Sequence, residues 1–127
     1  MTGLGQPVTG IWLAGAGEGL GAPIPAHIAD QLRARRFSNF DQFRAAFWAA
    51  VGNDPELSGQ FNLRNIAFLK RGYAPYPQVE EQLGGRVKFE IHHVVPIKDG
   101  GAVYNIDNLR IVTAKHHIEI HSNKGRG

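Results

Sequence analysis

The hydrophobic period of this chain changes from helical to alternating after Gly85, and that change leaves few folds open. Up to that point apolar residues recur at helical spacing. Beyond it Val87, Phe89 and Ile91 alternate with Arg86, Lys88, Glu90 and His92, the period of two that a half-buried strand requires. Leu109 to Val112 reads as a returning strand. Between them Lys98-Asp99-Gly100-Gly101 can turn the chain, and a long loop runs on to Asn108. Thr113 can cap a closing helix. A helical segment followed by strand, loop, strand and helix predicts an α+β domain: residues 1–85 a mainly helical scaffold, residues 86–121 a ββα unit packed on it.

The helical part divides at its caps. Pro25 suits a first helical position, and Ile28, Leu32 and Arg36 follow at helical spacing up to Phe37. Ser38 is a good N-cap for a helix that places Phe40, Phe43, Phe47 and Val51 on one face, with Asp41 in its first turn. That aromatic stripe is what an amphipathic helix needs to pack, so it reads as core. Asp54-Pro55 opens a short helical turn, and Asn62 caps another that ends at Gly72. The segment APYPQVEEQLGG is rich in turn residues. Glycines from Gly3 to Gly21 predict an irregular start that wraps over the core through Ile11, Trp12 and Leu13.

With 127 residues and 43% hydrophobic content, the chain is the size of one domain with one core, and no apolar run is long enough to span a bilayer. Met1 opens onto TGLGQPVTG, which has neither the basic nor the apolar region of a signal peptide; the start reads as the cut end of a larger protein. A formal charge of +3 leans towards polyanionic partners.

Five of the six histidines lie between His92 and His121, and there is no cysteine. Any metal is therefore held by nitrogen and oxygen. His117 and His121, at i and i+4 on a helix, share one face and can share an ion, and His92 at the end of the first strand can supply a third ligand. Three protein nitrogens leave a coordination position for water or a phosphate oxygen, the mark of a catalytic site. His116 is at the wrong angle to join them. Arg86, Lys88, Lys115, Lys124 and Arg126 form a basic set around the histidines suited to DNA phosphates.

The segment from Arg86 to His121 resembles the HNH (ββα-metal) nucleases, with H, N and H at His93, Asn108 and His117. The phrases PVTGIWL, LGAPIP, FDQFRAAFW, DPELSGQF, GGRVKFEIHHVVPI, GGAVYNIDNLRIVT and HHIEIH resemble the DNase domain of the colicin and pyocin bacteriocins, from Gly5 to His121. The resemblance implies one divalent metal ion (Zn²⁺, Ni²⁺, Mg²⁺ or Mn²⁺) on His92, His117 and His121, and His93 beside it as general base. It gives Arg86 to a phosphate oxygen and Glu90 to orienting Arg86 or a ligand histidine. Asn108 fixes the loop between the strands, and His116 is a spectator or a DNA contact.

The same resemblance implies a non-specific DNA endonuclease, acting as a monomer. It would leave the producing bacterium as part of a larger toxin and work in the cytoplasm of the target. It further implies a small acidic immunity protein as tight inhibitor. The expected docking surface is residues 62–88, where Arg64, Lys70, Arg71, Tyr73, Tyr76 and Lys88 offer tyrosine anchors ringed by charge. Prolines on both sides of Tyr76 are expected to hold it extended and facing solvent. The alternative is a non-catalytic, zinc-stabilised DNA-binding module. It would need a closed four-ligand site and leaves His93 without a role.

Overall fold

The computed structural model describes residues 1–124, with side chains through Ser122. Helix α1 runs Ala26–Arg33 with Pro25 as its extended N-cap, and is shorter than the spacing predicted. Beyond Leu32 the chain carries Arg35 and Arg36, which have no apolar face to bury. Phe37 leaves the helical path to meet the edge of Phe43 at 5.5 Å between ring centres.

Helix α2 spans Phe40–Gly52, capped by Asn39 and not by Ser38. The Asn39 side chain accepts from the Gln42 amide at 2.9 Å, and the Gln42 side chain accepts from the Ser38 amide at 3.0 Å. Two orphan donors are thereby satisfied at once, which Ser38 as the cap would not achieve. The expected stripe holds. Phe43, Phe47 and Val51 are fully buried, joined by Trp48, while Phe40 lies half-buried at its end. Helix α3, Pro55–Ser58, starts at Asp54 and Pro55 as read.

Helix α4, Leu63–Lys70, is capped by the Asn62 side chain. It closes in a Schellman arrangement: Gly72 adopts φ 83°, its amide donates to Leu69, and the Tyr73 amide donates to Phe68. Only a residue without a Cβ takes that φ cheaply, and the turn throws Tyr73 off the helix into solvent.

Three antiparallel strands stand in the order β1–β3–β2, with β1 at Ala22–Pro23, β2 at Glu90–His93 and β3 at Leu109–Val112. Helix α5, Ala114–Lys124, packs on β2. The expected strand from Val87 is shorter at its start, because Arg86 pairs back on Leu83 and the Phe89 amide donates to the Pro75 carbonyl. Its residue deepest from water is His92, since α5 covers the face that the alternation left polar.

The irregular start does wrap the core. Trp12 opens a 3₁₀ turn, Trp12–Gly17, and is buried against Phe47 and Trp48, with its indole N–H on the Pro23 carbonyl at 2.7 Å; Ile11 stays exposed. Ahead of it, Thr2 exchanges hydrogen bonds with Tyr104 and Ile106, and Asp107 accepts from the amides of Leu4 and Gly5. No helix among the described residues is long and apolar enough to cross a membrane.

Candidate metal centre

Strand β2 brings His92 to the sheet's covered face, and β3 leads through Thr113 into α5. The Thr113 hydroxyl accepts from the His116 amide at 3.2 Å, so the cap read from the sequence fixes where the helix begins and which residues face the sheet. His117 and His121 then stand over His92. Ring centres are 4.8 Å apart for His92–His117, 5.7 Å for His92–His121 and 4.8 Å for His117–His121.

One nitrogen from each ring lies within 4.8 Å of the others, and His92 Nδ1 is 3.1 Å from His117 Nε2. Two nitrogens on a tetrahedral zinc lie about 3.3 Å apart, from bond lengths of about 2.0–2.1 Å. The His92–His117 pair has close to that spacing, and with all three nitrogens within 4.8 Å the group could hold one divalent ion, with His92 buried and His121 exposed at the open side.

His117 is oriented from behind. Its Nδ1–H donates to Glu90 Oε1 at 2.8 Å, which leaves the Nε2 lone pair facing His92. Arg86 comes within 3.5 Å of the same Nδ1, but two donors do not bond each other. Its bonds go instead to Glu90, from Nε at 2.9 Å and from Nη2. Burial pushes the Glu90 carboxyl up, yet the hydrogen bonds from Arg86 and His117 and the charge of Arg86 outweigh it and hold the group below the usual carboxylate range. The same bond to Glu90 raises the Arg86 guanidinium further. Arg86, Glu90 and His117 thus form one hydrogen-bonded chain, and the imidazole at its end turns its other nitrogen towards His92.

His93, next along β2, makes contacts of its own. Its Nε2 is 3.1 Å from the Val103 carbonyl, an acceptor only, so Nε2 carries the proton and Nδ1 keeps its lone pair. One side of the ring meets Phe40 of α2 at 5.1 Å. Asn108 is buried and fully used in the loop between the strands. Its Oδ1 accepts from Val95 at 2.8 Å, and its Nδ2 donates to the carbonyls of Val95 and Ala102, each at 3.1 Å. Gly101 lies under the same turn, where a Cβ would overlap the Val95 carbonyl.

Other expected residues are placed less simply. Lys115 is two residues from His117, about 200° round the helix. It faces Glu81 at 4.0 Å, on another side of the helix from His117. Lys88 lies over the rings of Tyr73 and Tyr76, at 5.4 and 5.8 Å, within the aromatic patch. The Lys124 side chain and Arg126 lie outside the described residues. His116 is a tether, its Nε2 donating to the Gly19 carbonyl at 2.7 Å.

Tyr76 is half-buried, not solvent-facing as expected. Its ring stacks on Phe68 at 5.4 Å, with the Arg64 guanidinium 5.2 Å above it, and the Asn65 side chain bonds both its amide and its carbonyl. Arg64, Lys70, Arg71 and Tyr73 are exposed. A cleft of about 690 Å³ lies beside this patch, between Leu13, Asn65, Tyr76 and Phe89. Of the carboxylates only Glu81 lines it, already bonded to Thr113.

Sequence reading missed the Phe40 ring and the Val103 carbonyl. Phe40 belongs to a stripe indistinguishable from core, and a backbone acceptor has no signature in residue types.

The family model for the colicin/pyocin-S2 DNase domain matches residues 1–123. Pyocin-S2 of Pseudomonas aeruginosa is 59% identical over 120 residues, 94% of this chain and 17% of that protein. Colicin-E8 of Escherichia coli is 53% identical over 94% of this chain and 58% of its own. The chain thus spans about a sixth of pyocin-S2 and over half of colicin-E8. The crystal structure of the pyocin AP41 DNase–immunity complex aligns with a TM-score of 0.93 at 56% identity, covering 96% of this chain and 95% of that one. The mutant nuclease domain of pyocin S8, solved with its cognate immunity protein, gives 0.90 at 56% identity over 93% and 94%. With its ββα unit, three-histidine group and helical scaffold, the chain belongs to the colicin/pyocin DNase domain family, as an α+β nuclease domain.

Proposed function

We propose that this domain hydrolyses DNA phosphodiesters with one divalent metal ion and little sequence preference, as the killing part of a larger bacteriocin. The observation that carries the reading is His93. Its Nε2 is committed to a backbone carbonyl, so its Nδ1 lone pair is free to take a proton, and it stands next in sequence to a residue of the three-histidine group. Neutral imidazole held in one tautomer is what a general base near neutral pH requires.

In this reading His93 Nδ1 accepts the proton of the attacking water. Arg86 keeps two N–H groups on Glu90, and a guanidinium has three more with which to grip a phosphate oxygen. Glu90 holds both Arg86 and His117 in place. Asn108 keeps the loop that supplies the Val103 carbonyl in its conformation. The ion that His92, His117 and His121 would hold supplies charge neutralisation at the scissile phosphate and the leaving oxygen. Imidazoles favour Zn²⁺ or Ni²⁺ in affinity, whereas phosphate chemistry is often run by Mg²⁺ or Mn²⁺. Titration of metal-stripped protein ion by ion decides which works.

The relatives solved with immunity proteins support the same kind of partner for this chain. Its site is the patch of Arg64, Lys70, Arg71, Tyr73, Tyr76 and Lys88, where cations lie over aromatic rings and an acidic partner meets both charge and apolar surface. The domain would act as a monomer in the cytoplasm of a target bacterium after release from the producer within the longer toxin.

Plasmid nicking tests the reading. Cleavage is expected with a divalent ion, absent with EDTA, and about 10²–10⁴-fold slower for His93→Ala at unchanged metal affinity. DNA binding that needs zinc but is never followed by cutting would return the domain to a zinc-stabilised binding module.

A further inference from the structure

We propose that Phe40 of helix α2 is a positioning residue for His93, so that the helical scaffold, and not the ββα unit alone, sets the geometry of proton transfer. This deepens the assignment of His93 as base and rests on it. A ring tied by one hydrogen bond can still swing about that bond. His93 has such a tie at Nε2, to the Val103 carbonyl, and that atom is the pivot. Phe40 closes the swing: its ring centre lies 5.1 Å from that of His93 with the planes at 52°.

Phe40 can serve as a wall because it is itself wedged. It stacks on Tyr104 at 6.1 Å and 29°, leans on the fully buried Phe43 at 5.3 Å, and carries the Arg44 guanidinium 5.3 Å from its centre. As first residue of α2 it follows the Asn39 cap directly, so its backbone is fixed by the same bonds that start the helix. Tyr104 is fixed in turn: it meets Phe43 edge-on at 6.3 Å, and its carbonyl accepts from Thr2 at 3.1 Å. Phe43 and Phe47 fill the core from the same helix face, but Phe40 is the one whose ring reaches the candidate base.

The test is a double-mutant cycle on DNA cleavage by the whole domain with its activating ion. Phe40→Leu is expected to lower kcat about ten- to a hundredfold, the scale on which a misplaced catalytic group loses rate, with KM for DNA and metal affinity unchanged. Phe40→Tyr keeps the ring and should restore the rate. In a His93→Ala background Phe40→Leu should cost nothing further, because the group it positions is gone. Equal losses in both backgrounds would mean that Phe40 only supports the fold, and a rise in KM alone would make it a DNA contact; either overturns the proposal. If Phe40→Leu melts early, Phe40→Met, which fills a similar volume, takes its place in the cycle. Should His93→Ala itself cut normally, the assignment of the base fails first and this proposal with it, a result visible before Phe40 is touched.

Discussion

At the scale of single residues, the histidines of the metal group differ in exposure, and that difference predicts how they fail. An ion that binds only the folded state stabilises it by about 2.7 kcal/mol at a hundredfold excess over its dissociation constant. Zinc should therefore raise the melting temperature, and His117→Ala or His121→Ala should each abolish most of the rise. His121 is exposed, so its loss should lower the metal-free melting temperature less than His117→Ala, which also strips Glu90 of a donor. Scanning calorimetry with and without zinc reads both; a curve indifferent to zinc would show that the three rings hold no metal. Asn108→Ala removes three loop bonds inside the protein and leaves buried groups unpaired, at about 1–3 kcal/mol for such a group. Urea denaturation should show the loss, and cleavage should fall because the loop carrying Val103 loosens. Full activity in that variant would separate the loop from the base.

Among the elements, α4 and the segment after it act together. Asn65 sits in the helix but spends its side chain on the backbone of Tyr76, bonding amide and carbonyl as a neighbouring strand would. Tyr76→Ala should weaken an immunity protein by more than about 1.4 kcal/mol, roughly tenfold, while leaving DNA cleavage intact. Because the ring also packs on Phe68, a modest fall in melting temperature should accompany it. Asn65→Ala, which keeps the ring but frees its backbone, should weaken the inhibitor in the same direction. An inhibitor indifferent to both would move its site off this patch.

The legibility of such elements in sequence was uneven for physical reasons. The histidine group was readable, since i, i+4 spacing and the end of a strand fix directions without knowledge of neighbours. The caps at Asp54, Asn62 and Thr113 were readable too, being local chemistry. Strand β1 was not, because two residues have no period. Nor was the burial of His92, which depends on α5 returning over β2, or the contact of Phe40 with His93, which joins segments that only the tertiary fold brings together.

For the whole molecule, the net charge of +3 is small, so affinity for DNA rests on where cations stand and not on their number. Arg86 is the described one at the histidine group; Lys115 and Lys88 are engaged elsewhere. Binding of a cleavage-dead His93→Ala domain should still weaken with salt, each phosphate neutralised adding about 0.9 to the slope on duplex DNA, and should show little sequence preference. Affinity flat from low to physiological salt would remove the electrostatic model. The path of the first few residues also gives the domain a mechanical order of failure. A pull on the chain at Thr2 loads the bonds to Tyr104 and Ile106, then those to Asp107, before it reaches Trp12 and the aromatic core. Under tension the loop that braces His93 is therefore the first part to be dragged out of register, and the domain would lose its chemistry while its core still held.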